Sequence, residues 1–180
     1  MTMMGTDVLA DGVVLWRRGG FVEDRWARIG DEDALPPEGA VIVTLARWQD
    51  LRRSDAPGAW EVGVALAAGD DVREIAADLP RLALITLDFP KFTDGRSYSA
   101  ARLLRERYGF AGELRATGEV LLDQIPFMRR CGFDSFAISH EPTRRALADG
   151  RLTDVPIYLQ PVSERGEVPV GTRPWLRHRA

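Results

Sequence analysis

Residues 88 to 99 read DFPKFTDGRSYS, and they crowd two carboxylates, a lysine, a guanidinium and several hydroxyl groups into one connection. Asp88 and Asp94 are of the type that moves protons, while Lys91 and Arg96 are of the type that holds an anion or offsets developing charge. Ser97 stands where a helix would begin, and the free N–H groups of a first helical turn favour an anion beside such cations. Two later connections project further charge. ELRAT carries Arg115 and is followed by Gly118, Glu119 and Asp123; DSFAIS is followed by Ser139, His140 and Glu141. The candidates for proton transfer are therefore Asp88, Asp94 and His140, and those for a small anion, with sulfate, sulfite, phosphate and a carboxylate all fitting, are Lys91, Arg96, Ser97 and Arg115. Each also has a plain structural role available: Asp94 steadying a turn and pairing with Arg96, Ser97 or Ser99 capping a helix, Arg115 neutralising a buried acid, His140 capping the next helix. Arg102 and Arg105 fall on the solvated face of an amphipathic pattern, and Cys131 reads as buried filler.

These residues need strands and helices to bring them together. AVIVTL, WEVGVALA and LALITL are apolar strand patterns separated by the helical patterns ARWQDLRR and DDVREIAADL. SAARLLRERYGF continues the alternation with a helix ending on Gly109, where Phe110 can fold back on Leu104. ELRATG, a helix within VLLDQIPFMRRCGF, the strand DSFAIS and the helix EPTRRALADG follow. Pro126 fits a shorter helix capped near Asp123 better than one beginning at Glu119, because an interior proline removes a hydrogen bond and crowds a carbonyl. Short helices between apolar strands favour parallel pairing through right-handed crossovers. The expected fold is α/β, a mostly parallel sheet with flanking helices, with a partial (β/α) barrel as the alternative. ELRAT bears on that choice, since Glu113 and Arg115 alternate with Leu114 and Ala116. A barrel lumen, a sheet edge or a buried ion pair would each explain a strand with one charged face.

The chain of 180 residues suits one domain over residues 1–160, with a β flap at 1–35 and a βα core at 40–160. The 1–35 segment reads as an N-terminal hairpin or a loose β flap around Gly19 and Gly20 that precedes the main fold. VPIYLQPV offers an edge strand, and residues 161–180 read as a flexible tail. Hydrophobic residues make up 45% and charged residues 28%, which is ordinary for a globular protein. The sequence has no apolar stretch of membrane-spanning length and no signal-peptide pattern, and its one cysteine cannot form an internal disulfide; a cytoplasmic location is expected. Residues 1–90 hold 9 arginines against 16 acids, net −7, whereas residues 91–130 hold 8 basic residues against 5 acids, net +3. The middle of the chain is thus suited to an anion or an acidic partner, while an overall charge of −3 argues against a nucleic-acid coat. No CxxC, HExxH, GxxxxGK[ST], GxSxG or strand-linked GxGxxG pattern occurs. Cluster, zinc, nucleotide and hydrolase chemistry therefore lack their usual signals, and the sequence names no cofactor and no metal site.

The segment LALITLDFPKFTDGRSYSAARLLRERYGFAGELRATGEVLLDQIPFMRRCGFDSFAI resembles bacterial proteins grouped as domain of unknown function 934, through FPxFxDGR, LRxxxGxxGELRAxG, the DQ pair and RCGFD. The resemblance extends over roughly residues 40 to 160. It implies a place in assimilatory sulfite reduction, because members of that family stand beside genes of the pathway and are often labelled its oxidoreductases. Under that implication the chain is an accessory to sulfite reductase, which is the expected partner and supplies the haem and cluster; a homo-oligomer is left open. The alternatives are a barrel-like enzyme acting on a small anionic metabolite and a non-catalytic assembly module.

Overall fold

The structure, a computed structural model, describes residues 12–53, 59–152, 157–158, 168–170 and 173–178. Eight strands form the main sheet: β1 (Val14–Arg17), β2 (Gly20–Val22), β3 (Trp26–Arg28), β4 (Glu38–Thr44), β5 (Ala59–Leu66), β6 (Leu84–Phe89), β7 (Glu113–Gly118) and β8 (Ser135–Ile138). Their spatial order is β2-β1-β8-β7-β6-β5-β4-β3, parallel from β3 through β8 and antiparallel at the β8, β1 and β2 edge.

A chain-length argument gives the sheet its shape. Its two outermost strands, β2 and β3, are joined by residues 23–25 alone. Four extended Cα steps reach about 14 Å at most. Laid flat, eight strands would separate these edges by seven spacings of about 4.8 Å, roughly 34 Å. The sheet must curl, and it forms a half-barrel, the alternative expected from sequence. The N-terminal hairpin is accordingly no loose flap: β1 pairs with β8, and the chain then crosses the open side of the half-barrel to start β3. Asp24 in that crossing meets Arg115 on β7, and Arg25 meets Glu61 on β5.

Strand order also places the helices. From β3 to β8 each strand neighbours its successor, so right-handed crossovers all return over one face. On that convex face lie α1 (Leu45–Leu51), α2 (Arg96–Arg102, prolonged by a π-helical turn over Leu103–Arg107), α3 (Ile125–Arg130) and α4 (Glu141–Ala148). Trp48, Ala101, Leu104, Met128 and Leu147 from the helices pack with Val43, Val64, Ile85, Leu87, Phe89, Leu114, Ala116 and Phe136 from the strands in the main core. The period of two sends the intervening residues to the concave face. There a small apolar floor of Trp26, Ala40, Ile42 and Leu84 gives way, toward the carboxyl ends, to polar side chains.

Several local expectations need correction. The segment after Asp71 forms two 3-10 turns, Val72–Ile75 and Leu79–Arg81, in place of one helix. Asp78 is held by the Trp48 indole at 3.1 Å and by Arg52 at 2.8 Å, and Pro80 has no N–H to continue a helical ladder. α3 takes the shorter option, with Pro126 in its first turn, but Gln124 and not Asp123 occupies the cap. Arg105 is not on a solvated face. Its guanidinium bonds the carbonyls of Gly112 at 2.8 Å and Gly132 at 3.0 Å and pairs with Asp134, tying α2 to the loops that start β7 and β8. The expected edge strand at 155–162 is described only as β9 (Ile157–Tyr158). It pairs with β11 (Arg173–His178) and not with the main sheet, and β11 pairs in turn with β10 (Val168–Val170) inside the segment read as a tail.

Candidate functional site

At the carboxyl ends of the parallel strands, the concave face opens into two cavities of about 610 Å³ and about 810 Å³. They share Arg28, Asp88 and Thr117 and so form two lobes of one mouth. The first lobe runs toward Thr44, Asp70 and Thr86; the second runs toward Arg115, Glu119 and His140. This is where ligands gather in parallel sheets and barrels, because loops converge there while the strands hold their inward side chains in fixed register. Register fixes the arrangement: Thr86 lies opposite Arg115 and Asp88 opposite Thr117 across β6 and β7.

Asp88 is the centre of the mouth. Its Oδ1 accepts from Thr117 Oγ1 at 3.1 Å, and its backbone carbonyl accepts from Ser97 Oγ at 2.5 Å. Gly118 permits this packing, since its φ is +83° and a Cβ there would come within 2.8 Å of Asp88 Oδ1 and 2.4 Å of the Phe89 carbonyl. One layer below, Arg115 is 2% exposed and its three guanidinium nitrogens all meet carboxylates. Nη1 donates to Asp24 at 2.7 Å; Nε and Nη2 donate to Glu113 Oε1 at 3.0 and 2.9 Å. Glu113 also binds Arg17 and Ser135. The charged strand ELRAT thus combines two of the explanations its sequence allowed, a lumen and a buried ion pair.

The other residues singled out from sequence lie apart from this centre. Arg96 is engaged with Asp94, Nε at 3.0 Å and Nη2 at 2.6 Å, beside a separate cavity of about 260 Å³ on the helix side. The guanidinium's hydrogen bonds hold the Asp94 carboxyl down at about 2, and the carboxylate raises Arg96 in return. Lys91 is exposed and, among the described residues, has no ion pair. Ser97 is buried and committed to the Asp88 carbonyl. His140 lines the second lobe, caps α4 and has Nδ1 2.9 Å from Thr143 Oγ1. Burial pushes the Cys131 thiol up to about 11 and the Tyr98 phenol up to about 12. No group of three or more His, Cys, Asp or Glu side chains among the described residues is arranged to hold a metal ion. No described helix is long and apolar enough to cross a membrane.

Sequence reasoning passed over Arg28, Thr86, Thr117 and Asp70. Thr86 and Thr117 carried a usable signal, since each sits two residues along a strand from a charged inward residue, Asp88 and Arg115 respectively. Arg28 carried none, because its position depends on β3 joining the far edge of the sheet.

Fold and site together define an α/β half-barrel protein whose strand ends form a polar, ligand-sized mouth. The model of the family described as bacterial protein of unknown function (DUF934) matches residues 63–167, more than half of the chain, and the chain belongs to that family. The matched range includes Thr86, Asp88 and Thr117 and begins after Arg28. No curated protein and no solved structure matches the chain.

Proposed function

We propose that this protein is an accessory, oxidoreductase-associated component of assimilatory sulfite reduction that holds a small polar metabolite in the mouth of its half-barrel. The process rests on what the family resemblance implies, a place beside genes of that pathway, and sulfite reductase is the partner proposed with it. The metabolite rests on one observation: two cavities meet at Arg28, Asp88 and Thr117, at the carboxyl ends of parallel strands. Asp88 is the group there suited to accept a hydrogen bond or a proton, with Thr117 orienting it at 3.1 Å.

A second reading puts sulfite or sulfate on the FPKFTDGR loop. It is favoured by Lys91, which is exposed and without an ion pair among the described residues. Against it stands the commitment of Arg96 to Asp94.

The process is tested in the host bacterium by deleting the gene and comparing growth on sulfate, sulfite and sulfide as sole sulfur source. Failure on sulfate and sulfite with growth on sulfide is the expected result, accompanied by capture of sulfite reductase on the tagged protein. Equal growth on all three refutes the assignment.

A further inference from the structure

The charges around the mouth are unbalanced in a way that selects a ligand. Asp31, Asp70 and Asp88 line the first lobe and Asp24 and Glu119 the second; Asp24 pairs with Arg115, and among the described residues the other four carboxylates have no ion pair. These four carboxylates bond neutral groups, Asp31 the Thr44 hydroxyl, Asp70 the Ala67 N–H, Asp88 the Thr117 hydroxyl and Glu119 the Phe92 N–H, while the Asp31 backbone carbonyl accepts from the Arg47 guanidinium at 2.7 Å. A carboxylate has about four acceptor positions, so Asp88 retains most of its capacity toward the cavity. Arg28, shared by both lobes, has no carboxylate partner among the described residues although five carboxylates, Asp24 included, line the same mouth. Arg115 adds no free charge, because Asp24 and Glu113 neutralise it.

A second observation is independent of charge. Thr86 is 1% exposed and lines the first lobe between Asp88 and the apolar floor. Among the described residues nothing bonds its hydroxyl, which opens onto the cavity and is not among the fully buried unpaired atoms. The residue is otherwise buried, so this unbonded hydroxyl is left to whatever fills the cavity, water or a ligand.

We propose that the mouth binds a small zwitterion of the α-amino-acid class, its ammonium group on Asp88, its carboxylate on the Arg28 guanidinium and a polar side-chain atom within reach of Thr86. A dianion is disfavoured by four unpaired carboxylates against one unpaired cation, Arg28, in the lining, whereas an ammonium group supplies the missing positive charge. Arg28 presents the planar fork that carboxylates pair with. This inference rests on the mouth being the binding site, and it names the ligand class for that site.

The test is binding of the protein L-α-amino acids, one at a time, to the full chain by titration calorimetry and thermal shift. For any amino acid that binds, its decarboxylated amine and its deaminated acid are compared, together with sodium sulfite. At least one amino acid should bind, each analogue should bind about tenfold or more weakly, and Arg28→Gln and Asp88→Asn should each weaken binding by a similar factor. Arg28 is exposed, so its variant remains informative should Asp88→Asn fail to fold. Absence of binding by every amino acid, equal binding of an analogue, or wild-type binding by folded Arg28→Gln overturns the proposal. The growth test is separate: a deletion strain that needs the gene on sulfate while the protein binds no amino acid refutes the ligand class alone, and binding without a growth requirement refutes the process alone.

Discussion

Replacing Arg115 with methionine probes the ion-pair layer beneath the mouth. Arg115 is 2% exposed and bridges Asp24 and Glu113, so its removal leaves two carboxylates facing an apolar stem. Breaking a buried pair by deleting one partner costs about 3–5 kcal/mol. Two features place this case near the low end: Glu113 keeps Arg17 and Ser135, and the Asp24 side chain is 39% exposed. A loss of about 3 kcal/mol is expected, which for a chain of this size lowers the melting temperature by roughly 6–12 °C. Denaturant titration and thermal melts supply the assay. Arg115→Lys should fall between wild type and Arg115→Met, since it keeps the charge and loses the fork. Adding Glu113→Gln to Arg115→Met should cost less than the sum of the single losses, because the second change removes a carboxylate already stranded. A loss below about 1 kcal/mol for Arg115→Met, the scale of a solvated pair, would refute the reasoning.

Three further outcomes are expected. Gly118→Ala places a side chain at φ +83° and 2.4 Å from the Phe89 carbonyl, so it should lose at least about 1–2 kcal/mol in denaturant titration and displace Asp88, weakening ligand binding as well. Cys131, 2% exposed with its thiol pushed up to about 11, should resist alkylation at pH 8 in the native protein and react fully once unfolded; rapid native labelling contradicts its placement. Asp94 is held at about 2, below its ordinary 3.8, so its pair with Arg96 adds stability above pH 3.8 that disappears as pH falls through about 2. Asp94→Asn should therefore be less stable than wild type at neutral pH and approach it in acid, and a gap that does not narrow in acid would contradict this.

How far the sequence could be read depended on how local each signal was. The alternation of LALITL and the periodicity of SAARLLRERYGF are set by neighbours a few residues apart, and β6 and α2 lie where those patterns put them. The charges of ELRAT carried tertiary information as well, because a strand with helices on both faces cannot hold Glu113 and Arg115, and they lie on the one face without helices. The role of residues 12–28 was not legible. Three residues linking β2 to β3 become meaningful only once those strands are known to sit at opposite edges, a pairing with no local cue. Arg28 reaches the mouth through that pairing, so its part in the site was hidden too. In the DFPKFTDGR loop, Asp94 and Arg96 are two residues apart and satisfy each other, while Asp88 belongs to the strand and points the opposite way, into the lumen.

The most direct test of the mouth as the binding site is chemical-shift mapping of the isotope-labelled protein, titrated separately with an L-amino-acid mixture and with sulfite. The account predicts that the amino-acid mixture moves the resonances of Arg28, Thr86, Asp88 and Thr117 and leaves Lys91 and Arg96 in place. Perturbations confined to residues 91–97, or none at the four mouth residues with either addition, would contradict it.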